Sequence, residues 1–326
     1  MKSKKSLISL IAVVLAVAAV ILFFPRAWGE QYSAGSGETS AKIKNLAIEW
    51  TSGAVHLEYY GGSTIQFTEK ADGPLSEDQR MHWRVEGDTL RILYDKPGFR
   101  LFSFNNPKKE LTVKLPQDLT LNQAQVGATS GLLDIPTLRA ENIQLEITSG
   151  EIRATLNGRR IQCGATSGSL NVQVLGGADE VKIDATSGAV ALDCPGNVNQ
   201  CVIHTTSGSV QAAVKQAEEC RMDSTSGNIQ ALIGSIKKTN LHSTSGRITV
   251  EALTVNDLDI HTTSGSVTAY LPGTPGFTAR IDTTSGRFDS SLSMTKDGNQ
   301  YICGDGSASV VIGTTSGNIL VAEKEN

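Results

Sequence analysis

The sequence predicts an all-β protein, a parallel β-solenoid of about 10–11 short coils, with an N-terminal transmembrane helix. Three observations predict it. The tripeptide Thr-Ser-Gly occurs eleven times in 326 residues, ending at Gly53, Gly131, Gly150, Gly168, Gly188, Gly208, Gly227, Gly246, Gly265, Gly286 and Gly317. From Gly131 to Gly286 the spacing is 18 to 21 residues, the period of a repeat array rather than of a single globular core. The third observation is an uncharged apolar run over 7–24, which follows three lysines within residues 1–5.

Taken from its start, the chain divides into a cytoplasmic tip (1–5), a membrane anchor or uncleaved signal (6–24) and a polar, flexible stalk (25–41). An 18-residue uncharged run is the shortest that normally spans a bilayer. The lysines ahead of it place the N-terminus in the cytoplasm and the rest outside, as a single-pass membrane protein. A cleaved signal peptide ending near Ala27-Trp28-Gly29 is the competing reading, and would make the body secreted.

Residues 42–120 read as a β coil and cap region with an insertion. Apolar and polar residues alternate over 43–50, 55–59 and 64–68, and Gly87-Asp88 marks a hairpin turn between 83–85 and 89–93. Nine aromatics fall between Trp50 and Phe104 against four after it, as befits a cap over an open coil. Within this region Phe99, Leu101, Phe102 and Phe104 form a candidate partner patch, or else a cover for the solenoid end.

Residues 121–326 carry the regular coils. Five residues before each Gly stand Val126, Leu145, Cys163, Ile183, Ile203, Met222, Leu241, Ile260, Ile281 and Ile312; two residues after it every side chain is again apolar, from Leu133 to Ile319. Odd offsets before the Gly and even offsets after it place these residues inward on strands of period two. The inward phase therefore slips by one residue at each Thr-Ser-Gly, which makes the eleven glycines structural corners. Gly is expected to supply a positive φ there, and the Thr and Ser hydroxyls to form ladders along one edge. The longer step from Gly286 to Gly317 contains Lys296-Asp297-Gly298-Asn299, an insertion looping off one face.

The run Ile43-Lys-Asn-Leu-Ala-Ile-Glu-Trp-Thr-Ser-Gly-Ala-Val-His-Leu57, then Leu111-Thr-Val-Lys-Leu-Pro116 leading into the Ser-Gly coils, resembles the bacterial putative-adhesin domain family of unknown function. The resemblance covers the chain from about Ile43 onward. It implies a right-handed parallel β-solenoid on the cell envelope, often behind a membrane segment, and contains no catalytic motif.

Function is less legible than fold. A net charge of −4 argues against a nucleic-acid partner. There is no Gly-x-Ser-x-Gly elbow, no His-Glu-x-x-His, no phosphate-binding loop and no cofactor signature. Four residues before the Gly, successive coils carry Asp184, His204, Asp223, His242, His261 and Asp282 in one outward file. Of these, His204, Asp223, His242 and His261 are the metal candidates, set against the plainer reading of a polar outer face. The five cysteines read as packed thiols; Cys194 with Cys201, or Cys201 with Cys220, are the alternative pairings of an exported chain. The resulting reading is a non-catalytic, adhesin-like binding or scaffolding solenoid that contacts the membrane through its N-terminal helix and an envelope polymer or surface protein along its sides. An enzyme acting on polysaccharide and an envelope-stress regulator working through a partner are the alternatives.

Overall fold

The computed structural model describes residues 32–96 and 107–323. They are all-β apart from one short 3-10 turn, Glu77–Gln79. They divide into two compact units, one up to Val172 and one from Gln173.

In the first unit, Asn45–Tyr60 pairs in parallel with Leu121–Asn157, and Gly53 stands beside Gly131. On its other side Asn45–Tyr60 is flanked in parallel by Thr89–Leu93 and Lys109–Pro116. The outermost layer of this unit therefore comes later in sequence than the coil it covers. Antiparallel strands complete it: Ile65–Ala71 on Lys109–Pro116, Gly37–Thr39 on Ile65–Ala71, His82–Glu86 on Thr89–Leu93, and Ser33–Ala34 on His82–Glu86. Residues 33–39 thus belong to the cap, although their composition suggests a flexible stalk; small polar residues are extended here because neighbouring strands accept their backbone hydrogen bonds. The hairpin at Gly87-Asp88 has the expected form, closing Glu86 on Thr89 with Gly87 at φ +62°.

In the second unit, Ala178–Ser187, Val190–Thr205, Val210–Ser224 and Ile229–Ser243 stack in parallel and in register, placing Ile183, Ile203, Met222 and Leu241 in one column. Asp257–Thr262 follows Ile229–Ser243, bringing Ile260 under Leu241. The next layer is not the next coil in sequence. Asp257–Thr262 pairs with Ala308–Ser316, whose other side pairs with Gly276–Ser285. Val267–Tyr270, Ile319–Ala322 and Phe288–Ser290 repeat the same order on the adjoining face. The last coil of the chain lies between two earlier ones, so the insertion after Gly286 is a return path. Thr295–Asp297 and Gln300–Gly304 form an antiparallel hairpin on that path, laid against residues 276–279.

Burial follows the two columns read from sequence. Val126, Leu145, Cys163, Ile183, Ile203, Met222, Ile260 and Ile312 are all buried, as are Leu133, Ile152, Val210, Ile248 and Ile319. At about 25 cal/mol per Å² of apolar surface removed from water, each such side chain contributes on the order of 1.5–3 kcal/mol. Only Ile281 and Phe288, in the outer layer of the second unit, remain half-buried.

One part of the expected fold class is corrected, and the location built on it. No helix among the described residues is long and apolar enough to cross a membrane. The transmembrane helix expected over 6–24 lies outside the described residues, so the single-pass placement with the solenoid outside has no structural support. It rested on hydropathy alone, and an apolar run of minimal length is compatible with a span without establishing one.

Candidate functional site

The outward file four residues before Gly is the most regular chemical feature of the second unit. Parallel register sets Asp184 beside His204, His204 beside Asp223, Asp223 beside His242, and His242 beside His261. The file then breaks. His261 is followed by Gly313, and Asp282 lies one layer beyond. The ring of His261 occupies the space a Cβ on Gly313 would take, with Nδ1 2.5 Å from that position. Asp282 is therefore not the neighbour of His261 that spacing alone suggests.

Charged pairs within a strand support three members of this file, Asp184, Asp223 and His261. Lys182 Nζ meets Asp184 Oδ2 at 3.2 Å, Arg221 Nε meets Asp223 Oδ2 at 2.6 Å, and His261 Nε2 meets Asp259 Oδ1 at 2.9 Å. Asp223 is held twice, since His204 Nδ1 of the preceding coil approaches the same oxygen at 3.4 Å. The hydrogen bond and charge of Asp223 raise the Arg221 guanidinium above its ordinary value. His204, Asp223, His242 and His261 stand in a row along the ladder rather than around a point. Among the described residues no group of three or more His, Cys, Asp or Glu side chains is placed to hold a metal ion. A shorter file in the first unit has the same character: His56 Nδ1 lies 3.1 Å from Asp134 Oδ2, and its Nε2 lies 3.7 Å from Glu110 Oε1.

The glycines that orient these faces act in two ways. Gly53, Gly131 and Gly150 have φ of +107°, +132° and +129°, the positive values expected of a corner. From Gly208 onward the requirement is space. A Cβ on Gly208, Gly227, Gly246 or Gly265 would collide with the glycine carbonyl of the coil before it, and one on Gly317 or Gly286 with Gly265 or Gly317. The hydroxyl that secures these later corners is three residues before the Gly, outside the tripeptide. Thr205 Oγ1 accepts from Gly208 N–H at 3.0 Å and Ser224 Oγ from Gly227 N–H at 2.8 Å. Thr262 donates to Gly246 O at 3.3 Å, and Thr314 donates to Gly265 O at 3.0 Å. The tripeptides themselves are joined through backbone, as in Ser226 N–H to Thr206 O at 2.8 Å.

A family model described as Toastrack DUF4097 matches residues 43–322. The chain belongs to the Toastrack DUF4097 family. None of the curated proteins matches it. Solved structures similar to it include a putative adhesin from Bacteroides fragilis, 13% identical, covering 91% of this chain and 98% of that one at a TM-score of 0.35. A putative lipid binding protein from Parabacteroides distasonis is 14% identical, covering 89% of this chain and 97% of that one at a TM-score of 0.42. A putative adhesin from Parabacteroides merdae is 12% identical, covering 91% and 98% at a TM-score of 0.33.

The Toastrack cap contains a charged cluster that sequence reasoning missed. Lys109 occupies the place beside Gly53 where other layers carry glycine, and its side chain is fully buried. Its Nζ donates to Glu69 Oε1 at 2.7 Å, to Gln79 O at 2.7 Å and to Tyr94 O, and lies 3.8 Å from the centre of the Tyr94 ring. Three acceptors match the three donors of an ammonium. Burial lowers the Lys109 pKa, and the Glu69 carboxylate opposes that shift. Trp50 Nε1 donates to Lys109 O at 3.2 Å and packs edge-on against Tyr94 at 5.0 Å. The legible signal was phase: Lys109 precedes Leu111, Val113 and Leu115 at a spacing of two, and all three are buried. The proposed patch of Phe99, Leu101, Phe102 and Phe104 lies outside the described residues.

All five cysteines are buried free thiols. Cys201 and Cys220 are register partners in adjacent coils, and burial raises the pKa of Cys163 and Cys194, so these are packed side chains rather than nucleophiles.

Proposed function

We propose that this Toastrack protein is a non-catalytic, adhesin-like binding or scaffolding protein whose outward coil faces engage an extended polar polymer or a surface protein. The observation that carries the reading is the in-register file from Asp184 to His261. Strands stacked about 4.8 Å apart hold polar groups at a fixed pitch, and their in-strand ion pairs hold several of those groups in place. Such a surface suits a repetitive ligand, whose weak contacts add along its length, better than a small substrate that needs groups converging on one point.

The test is a binding screen of the full chain against glycans, anionic polymers and surface proteins, run beside analysis of released products. Binding that falls when His204, Asp223 and His242 are replaced together by Ala, without turnover, supports the reading. Product release, or binding indifferent to the triple replacement, contradicts it.

A further inference from the structure

The outer layer of the second unit presents an open sheet edge. Gly276–Ser285 and Phe288–Ser290 pair inward with Ala308–Ser316 and Ile319–Ala322. On the outer side, among the described residues, the hairpin strand Gln300–Gly304 covers only Gly276 to Ala279 and stops short of Arg280. Beyond it the outward-turned backbone groups of 280–290 have no strand beside them among the described residues. An exposed edge of this length is a template for pairing with another chain.

The side chains of this edge carry a pattern found in no other coil. At six and four residues before the Gly and at one and three residues after it stand Arg280, Asp282, Arg287 and Asp289, all exposed. No other Thr-Ser-Gly coil has a charge at all four places; the coil of Gly227, for example, has Arg221, Asp223, Asn228 and Gln230 there. If a twofold axis passes between Thr284 and Ser285, the middle of the corner, a second copy of this edge runs antiparallel to the first. Residue 280 then faces 289 of the other copy, 282 faces 287, and 281 faces 288. Every pair is complementary: Arg280 meets Asp289, Asp282 meets Arg287, and Ile281 meets Phe288. The two apolar residues are the only members of their columns left half-buried. Tyr301 of the hairpin packs against Phe288 at 5.0 Å, flanking the apolar centre. A corner on a twofold axis is also what the geometry requires, since reversing the chain about a corner lays each face on the other.

We propose that two copies of this chain associate through residues 280–289 of their outer coils, antiparallel and twofold-symmetric, with the four charges as the determinant of register. An isologous contact of this kind closes on itself and does not propagate. In the single chain Arg280 Nε bonds Asp282 Oδ2 at 3.1 Å; association exchanges this exposed contact for pairs across the interface. Cross-strand opposite charges stabilise such pairing and like charges oppose it.

The test is analytical ultracentrifugation of the full chain over a concentration series, with charge exchange on either half of the edge. One variant combines Arg280→Asp with Asp282→Arg; the other combines Arg287→Asp with Asp289→Arg. Each places like charges opposite one another in its own dimer, and each should weaken association about a hundredfold or more. Mixed together they are complementary at all four places, so the mixture should recover the wild-type constant to within about threefold. The chain carrying all four substitutions should dimerise again. Circular dichroism checks that each variant folds, which the exposure of the four side chains favours. A wild-type chain that stays monomeric overturns the proposal, as does a dimer indifferent to either exchange, or a mixture no stronger than its components.

Discussion

In the first unit Thr89–Leu93 and Lys109–Pro116 follow Asn45–Tyr60 in sequence yet lie outside it; in the second, Gly276–Ser285 precedes Ala308–Ser316 and lies outside it. Both end layers are therefore out of chain order, and each regular coil next to an end is paired on both sides. The finish differs. The first end is covered by antiparallel strands, with Phe67, Met81 and Lys109 buried beneath them, whereas the second leaves 280–290 without an outer neighbour among the described residues. An open coil end exposes unpaired backbone whatever its side chains. One solution is a cap built from the same chain, and the other is a charged edge that selects what docks on it.

The contrast is broken most severely at Lys109. Lys109→Ala leaves the buried Glu69 carboxylate without its counter-charge, held only by Met81 N–H at 2.8 Å, and should destabilise the protein by about 3–5 kcal/mol in denaturant titration. Replacing Lys109 and Glu69 together by Leu should recover much of that loss, because no uncompensated charge remains. Arg280→Ala, at the open end, should leave the midpoint of unfolding unchanged at low protein concentration. The apolar columns sharpen the same difference. Ile260→Ala, at a fully buried site, should cost about 2–5 kcal/mol, and Ile281→Ala, in the same column of the outer layer, about half as much or less, as less surface is re-exposed. A third contrast lies at the corners. Ser224→Ala leaves Gly227 N–H without the acceptor now 2.8 Å away and should cost about 1–3 kcal/mol. No equivalent loss is available at Gly131 or Gly150, where the residue three before the Gly is Ala128 or Ile147 and positive φ makes the turn.

Much of the fold was legible because inward residues repeat at fixed offsets from Gly, and Ile183, Ile203 and Met222 do stack in register. The order of the last coils was not, because the same regularity makes coils interchangeable: Ile281 and Ile312 are equally apolar, so either fits beside Ile260. One trace existed in Gly313, which breaks the His/Asp file where Ala308–Ser316 intervenes. The hydroxyl pattern was misplaced by one residue. Thr-Ser of the tripeptide is frequent and conspicuous, but the hydroxyls buried at the corners are Thr205, Ser224, Ser243, Thr262 and Thr314, one position earlier and apolar in the first unit. The candidate face was visible as a column, while the pairing of His204 with Asp223 across coils depends on side-chain approach that spacing does not specify.

Hydrogen exchange of the full chain, followed by mass spectrometry at several protein concentrations, tests the difference between the two ends most directly. Slow exchange of Lys109–Pro116 at every concentration is predicted, with the outward-turned amides of residues 280–290 exchanging rapidly when dilute and more slowly as concentration rises. Equal protection of both segments in dilute solution, or no response of 280–290 to concentration, would contradict the account.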